Sequence, residues 1–194
     1  MIAERADDRI AAVLFDRDDT LVVDVPYNGD PERVRVVPGA AAALRRLRAA
    51  GVATAVISNQ SGIGRGLLTR TQVDAVNARV ESLLGPVGPF VVCPHAPEDR
   101  CGCRKPAPGL VLQAADAVGV PVRSCAVIGD IGADIAAAAA AGALGILVPT
   151  DRTLAEEVAA APLVAADLAG AVDMVLERAC ARGGGAVSPS RGVA

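Results

Sequence analysis

"VLFDRDDTL", Val13–Leu21, sets Asp16, Asp18 and Asp19 directly behind the apolar run Ile10–Phe15. The run has the length of a buried strand, so the acids stand where that strand would leave the core. Asp16 and Asp18 are two positions apart and therefore share one side of an extended segment.

Working outward, residues 52–57, 89–92, 125–128 and 145–148 form four more apolar runs of strand length. Helical stretches lie between them. Residues 38–51 begin with Pro38 near the first helical position and stop at Gly51. Residues 68–85 are amphipathic, with Thr69 or Thr71 as cap and Gly85 as stop, and 106–120 and 132–142 complete the set. Strands alternating with helices predict an α/β fold, a Rossmann-like doubly wound, mostly parallel sheet. Such sheets bind ligands beyond the carboxyl ends of their strands. Asp16–Asp18, Ser58–Gln60, Cys93–His95 and Asp130 should therefore converge.

The 194 residues suit one domain, expected over 1–181, with further helices at 153–161 and 167–179. The Gly-, Ser- and Pro-rich end, 182–194, reads as a disordered tail. A net charge of −3, no Trp, one Tyr and two Phe argue against nucleic acid as partner. Apolar content is high, yet Gly142 and Gly145 break the longest run, 135–148, so no membrane span is expected. The N-terminus carries acids without a following apolar stretch of signal type, which points to a cytoplasmic protein. Small polar substrates suit such a chain better, and a monomer is expected.

Three of five cysteines crowd beside the single histidine in "CPHAPEDRCGC". Cys93, His95, Cys101 and Cys103 make a tetrahedral Zn²⁺ set on one short loop. Ordinary packing or a redox pair is the alternative. Four protein ligands leave no open position, so this zinc would be structural and would aim the Arg104-Lys105 that follows. Cys125 and Cys180 lie in an apparent strand and helix and read as packing residues.

Asp16-Arg-Asp18-Asp-Thr20 after a strand resembles the first motif of the haloacid dehalogenase (HAD) superfamily. Ser58 resembles its second, Arg104-Lys105-Pro106 its third, and Gly129-Asp130 with Asp134 its fourth. Any one aspartate alone would as readily be a helix cap or turn residue; the ordered set is specific. The resemblance implies an Mg²⁺-dependent phosphomonoester hydrolase, in which Asp16 is the nucleophile forming an aspartyl-phosphate and Asp18 the general acid/base. It further implies that Ser58, Lys105 and the backbone of Asn59 hold the phosphate. Mg²⁺ would be bound by Asp16, Asp130 and the Asp18 carbonyl, with Asp134 behind them.

The sequence C-x-H…C-x-C-R-K-P is similar to two branches of the capless HAD phosphatases, those acting on heptose bisphosphate and on histidinol phosphate. "ISNQSGIGRGLLT" and "CRKPAPGL" resemble the heptose branch, whose 7-phosphate would leave. There Asn59, Gln60, Arg65 and Arg104 would bind substrate, with Gly62, Gly64 and Gly66 letting backbone approach it. A histidinol-phosphate phosphatase would want acids at the pocket mouth, where Asp24 and Asp30 are candidates. A catalytically silent protein that binds a phosphate ligand is a third reading. Relatives usually carry Gly where Asp19 stands and a polar residue where Ile131 stands. No insertion is long enough for a cap domain.

Overall fold

The computed structural model of the protein describes residues 9–180; the expected tail, 182–194, lies outside the described residues. Five strands, β1 (Ala12–Asp16), β2 (Ala53–Asn59), β3 (Phe90–Cys93), β4 (Cys125–Gly129) and β5 (Leu144–Leu147), form one parallel sheet in the order β3-β2-β1-β4-β5. Each expected strand is present within two residues at either end.

The helices are α1 (Ala40–Ala49), the single turn α2 (Ser61–Gly64), α3 (Arg70–Leu84), α4 (Gly109–Ala117), α5 (Gly132–Ala141), α6 (Ala155–Ala160) and α7 (Leu168–Cys180). Because side chains alternate across a strand, β1 sends Val13 and Phe15 to one face and Ala12 and Leu14 to the other. Val56, Ala126 and Ile128 join the first face, beneath α1, α3 and α7. Ile57, Cys125 and Val127 join the second, beneath α4 and α5. A sheet covered on both faces explains why its strands read as unbroken apolar runs rather than alternating ones.

Helix ends follow local chemistry. Thr69 caps α3 by accepting the Gln72 N–H at 3.2 Å, while the Gln72 side chain accepts the Thr69 N–H at 2.8 Å. Pro38 does not open α1 as expected; Gly39, in the left-handed region at φ 86°, precedes its first residue.

The order in which the chain adds strands reverses about β1, which has β2 on one side and β4 on the other. That switch point opens a crevice at the carboxyl ends of all three strands. Segment 17–39 holds one 3₁₀ turn, Pro31–Arg33, and the isolated bridges of Val22 with Asp18 and Val36. Only α2 and α3 separate β2 from β3, so no cap domain stands over the crevice among the described residues. No helix of the described residues is long and apolar enough to cross a membrane.

Candidate active site

The crevice is an open cavity of about 290 Å³ lined by Asp16, Asp18, Ser58, Asn59, Arg104, Lys105, Asp130 and Asp134, among others. Asp16 ends β1, Ser58 and Asn59 end β2, and Asp130 follows β4. Lys105 reaches in from the loop before α4. Its Nζ bonds Asp16 Oδ1, donates to the Ile57 carbonyl at 3.2 Å and stands 2.6 Å from Asp134 Oδ1. Burial alone would lower the lysine; the nearby Asp134 and Asp16 carboxylates outweigh it and hold the ammonium above its ordinary value.

Oxygens of Asp16, Asp130 and Asp134 lie within 4.8 Å of one another. Burial, then the charges of Asp134 and Asp19, push Asp130 up to about 7. Burial likewise pushes Asp16 up, and Lys105 pulls it back. Asp134 Oδ1 faces Lys105 only as an ion pair and accepts no aligned hydrogen bond. Three buried carboxylates thus share one lysine. Hard oxygen donors in excess of resident positive charge fit a divalent cation of the magnesium type.

Local sequence places Asp134. It sits in the first turn of α5, where its Oδ2 accepts the Ile131 N–H at 3.3 Å. Its carboxyl tucks against Gly129, at which an added Cβ would approach to 2.4 Å. Glycine is required there by space.

Asp18 is held from behind. Arg17, buried at 3% exposure, donates Nε and Nη2 to its two oxygens at 3.1 Å, and Nη1 to Asn77 of α3 at 2.8 Å. Gln60 Nε2 donates to Asp18 Oδ2 at 3.0 Å and to Ser58 Oγ at 2.8 Å. Asn59 spends its side chain on the backbone of Lys105, giving and taking one bond of 3.1 Å each.

Asp19 answers why a third acid follows. It adopts the left-handed region at φ 54°, where glycine is the ordinary choice. Its Oδ1 accepts the Asp24 N–H at 2.8 Å and its Oδ2 lies 3.4 Å from Arg152 Nη1. Arg152 also bonds Asp24. Asp24 is therefore committed, as is Asp30, which accepts the Glu32 N–H at 2.9 Å.

Arg104 lines the cavity, whereas Arg65 stands outside that lining, donating to the Tyr27 hydroxyl at 2.6 Å and facing Glu98 at 3.7 Å. Two of the three glycines around it are held by packing. A Cβ at Gly64 would come within 2.8 Å of the Pro94 carbonyl, and one at Gly62 within 2.9 Å of Leu68 and Tyr27. Gly66 supplies a turn at φ 70°.

Beside the cavity, Cys93, His95, Cys101 and Cys103 bring one ligand atom each within 4.8 Å of the others, a set that can hold a metal ion. Cys103 Sγ lies 3.1 Å from Cys93 Sγ, 3.4 Å from Cys101 Sγ and 3.2 Å from His95 Nδ1. Every sulfur has several partners rather than one. Burial works to raise Cys101, but hydrogen bonds from the Arg104 N–H, 3.4 Å away, and then from the Cys103 thiol bring it down to about 6. Arg104 in turn reaches the His95 carbonyl at 3.5 Å, tying the loop to the cavity wall.

Arg17, Arg152, Thr153 and Glu157 belong to the site without a signal in the sequence reading. Thr153 Oγ1 donates to the Asp130 carbonyl at 2.6 Å. Glu157 accepts the Gly132 N–H at 2.9 Å and the Leu154 N–H at 3.0 Å, bracing α5 against α6.

The family model described as "HAD-hyrolase-like" matches residues 102–171, the stretch carrying Lys105, Asp130 and Asp134. D-glycero-beta-D-manno-heptose-1,7-bisphosphate 7-phosphatase of Pseudomonas putida is 36% identical over 165 residues, covering 81% of this chain and 94% of that protein. The Pseudomonas aeruginosa protein of the same name is 37% identical, over 73% of this chain and 83% of its own. Among solved structures, the D,D-heptose 1,7-bisphosphate phosphatase of B. bronchiseptica, complexed with magnesium and phosphate, superposes with a TM-score of 0.75 at 29% identity. That likeness covers 87% of this chain and 99% of the other. At 36% identity over 81% of its length, the chain belongs to the HAD-like phosphatases, in the family of the D-glycero-beta-D-manno-heptose-1,7-bisphosphate 7-phosphatases.

Proposed function

We propose that the protein is a phosphomonoesterase that removes the 7-phosphate of D-glycero-D-manno-heptose 1,7-bisphosphate through an aspartyl-phosphate on Asp16. One observation carries the reading: nucleophile, acid/base, phosphate-binding and cation-binding candidates line a single cavity in a chain of this family.

A carboxylate oxygen of Asp16 attacks phosphorus and the bond from phosphorus to the C7 oxygen breaks. Asp18, two residues on and steadied by Arg17 and Gln60, gives its proton to the leaving oxygen. It then takes a proton from the water that hydrolyses the acyl-phosphate, which releases inorganic phosphate and restores Asp16. Lys105 and Ser58 hold phosphate oxygens, and the Asn59 backbone supplies an N–H. Gln60, Arg65 and Arg104 are retained as substrate-binding residues. For Arg104, which lines the cavity, the geometry supports that role; Gln60 lines a smaller neighbouring pocket with Asp18 and Tyr27, while Arg65 would first have to leave Tyr27.

Magnesium, held by Asp16, Asp130 and the Asp18 carbonyl with Asp134 behind them, would neutralise the charge of the phosphate. Zinc would sit structurally among Cys93, His95, Cys101 and Cys103. A tetrahedron with Zn–S bonds of about 2.3 Å has edges of about 3.8 Å, and the sulfur separations of 3.1–3.7 Å are close to that. Clustered thiols serving as metal ligands suit a reducing, cytoplasmic compartment, and we propose a monomer there. Committed as they are to Arg152 and to the 3₁₀ turn, Asp24 and Asp30 do not favour a cationic histidinol substrate.

The test is phosphorus NMR of the products from heptose 1,7-bisphosphate and from histidinol phosphate, with wild type and Asp16→Asn. Release of one phosphate with the 1-phosphate retained, abolished in the variant, is expected. Preferred hydrolysis of histidinol phosphate would overturn the substrate; ligand binding without turnover of either would overturn catalysis itself.

A further inference from the structure

A continuous chain of polar contacts runs along the rim of the cavity. Asp19 Oδ1 accepts the Asp24 N–H at 2.8 Å, and both carboxylates engage Nη1 of Arg152, in the loop after β5. The Arg152 N–H donates to Thr150 Oγ1 at 3.3 Å, and the Thr150 N–H to Thr153 Oγ1 at 2.8 Å. Thr153 Oγ1, its acceptor side thus used, donates to the Asp130 carbonyl at 2.6 Å. The path therefore begins three residues after Asp16 and ends on the backbone of Asp130, the two carboxylates that must close on one cation.

We infer that Thr153 and Arg152 are positioning residues for the cation site: the strap from Asp19 through Arg152 to Thr153 sets the direction of the Asp130 carboxylate relative to Asp16. Three features support this. A carbonyl held at 2.6 Å restricts the peptide plane between Asp130 and Ile131, and that plane fixes where the Asp130 side chain starts. The Thr153 hydroxyl is used as donor and acceptor at once, so its direction is determined rather than free to rotate. Asp19 keeps a left-handed backbone that glycine would adopt at less cost, and its carboxylate holds both Asp24 and Arg152 in return. Groups behind metal ligands typically change metal affinity about 10- to 100-fold when lost.

The inference rests on the proposed role of Asp16 and Asp130 as cation ligands, and the experiment separates the two. Free Mn²⁺ is counted by electron paramagnetic resonance during titration of the intact protein as purified, with Asp16→Asn as the baseline for ions bound elsewhere. Thr153→Val keeps the shape and removes the hydroxyl, and Thr153→Ser keeps the hydroxyl. Thr153→Val is expected to bind Mn²⁺ at least tenfold more weakly, Thr153→Ser within twofold of wild type, and Arg152→Met more weakly by severalfold. Adding Arg152→Met to Thr153→Val should weaken binding no further, because both cut one path. Thr153→Val within twofold of wild type, Thr153→Ser as weak as Thr153→Val, or additive losses in the double variant would each overturn the strap while leaving the cation site standing. Wild-type protein that binds no Mn²⁺ beyond the Asp16→Asn baseline would overturn both.

Discussion

Asn59 and Lys105 grip each other through a matched pair of 3.1 Å hydrogen bonds, the amide of one side chain lying along the backbone of the other residue. The carboxyl end of β2 thereby sets the height at which the Lys105 ammonium enters the cavity. Asn59→Leu removes both bonds without touching a reacting group. A displacement on the order of 1 Å costs about 100-fold in rate, so kcat should fall by about that factor with the far-ultraviolet dichroism unchanged. Steady-state kinetics on heptose bisphosphate checks it, and near-wild-type kcat would show that Lys105 is held by other means.

Lys105→Met leaves Asp16 and Asp134 buried without their cation. Removing one member of a buried ionic group costs about 3–5 kcal/mol. Lys105 is what pulls the burial-raised Asp16 back down, so its loss lifts Asp16 further. A carboxyl raised in the folded state contributes stability below its unfolded value and loses it as pH rises through the folded value. The deficit should therefore be larger at pH 8 than at pH 5 in metal-free urea unfolding, and a deficit independent of pH would contradict the pairing.

Gly129→Ala puts a methyl group into the space of the Asp134 carboxyl. Because Gly129 ends a fully buried strand, the aspartate rather than the sheet should yield. Loss of most phosphatase activity with a melting temperature lowered by only a few degrees is expected. Equal activity in the variant would show that Asp134 has room to move.

Burial pushes the Cys125 thiol up to about 11, and it has no exposed surface. Its thiolate, the reactive form, is scarce at pH 8. Iodoacetamide at pH 8, followed by mass spectrometry, should leave Cys125 unmodified in folded protein whether or not a chelator is present. Cys101 and Cys103, only partly buried, should become labelled once a chelator is present, as the proposed zinc site requires. Labelling of all three equally would place Cys125 outside the core.

The strands and the convergence of Asp16, Ser58 and Asp130 were legible because both depend on local order. An apolar run ending in Asp16, Ser58 or Asp130 announces its own carboxyl end, and a parallel sheet brings such ends together. The short loop from Cys93 to Cys103 keeps its ligands close in sequence as well as in space. Arg17, Arg152 and Thr153 were not legible: their partners Asn77, Asp24 and Asp130 lie 60, 128 and 23 positions away. An arginine far in sequence from its partner looks like any surface cation. The glycines near Arg65 signalled a backbone close to something without naming it, and for Gly64 the neighbour in the fold is the Pro94 carbonyl.

The pairing of β1 with β4 sets Phe15 against Ile128, so Asp16 and Asp130 project from adjacent rungs of one ladder. Neighbouring strands are about 4.8 Å apart whatever their side chains. The spacing of the two backbone anchors is therefore written in main-chain hydrogen bonds, whereas the direction in which each carboxylate turns is left to its neighbours. Variation among relatives can alter what the pair faces and how each carboxylate is turned, but the distance between their main-chain anchors is a property of the sheet.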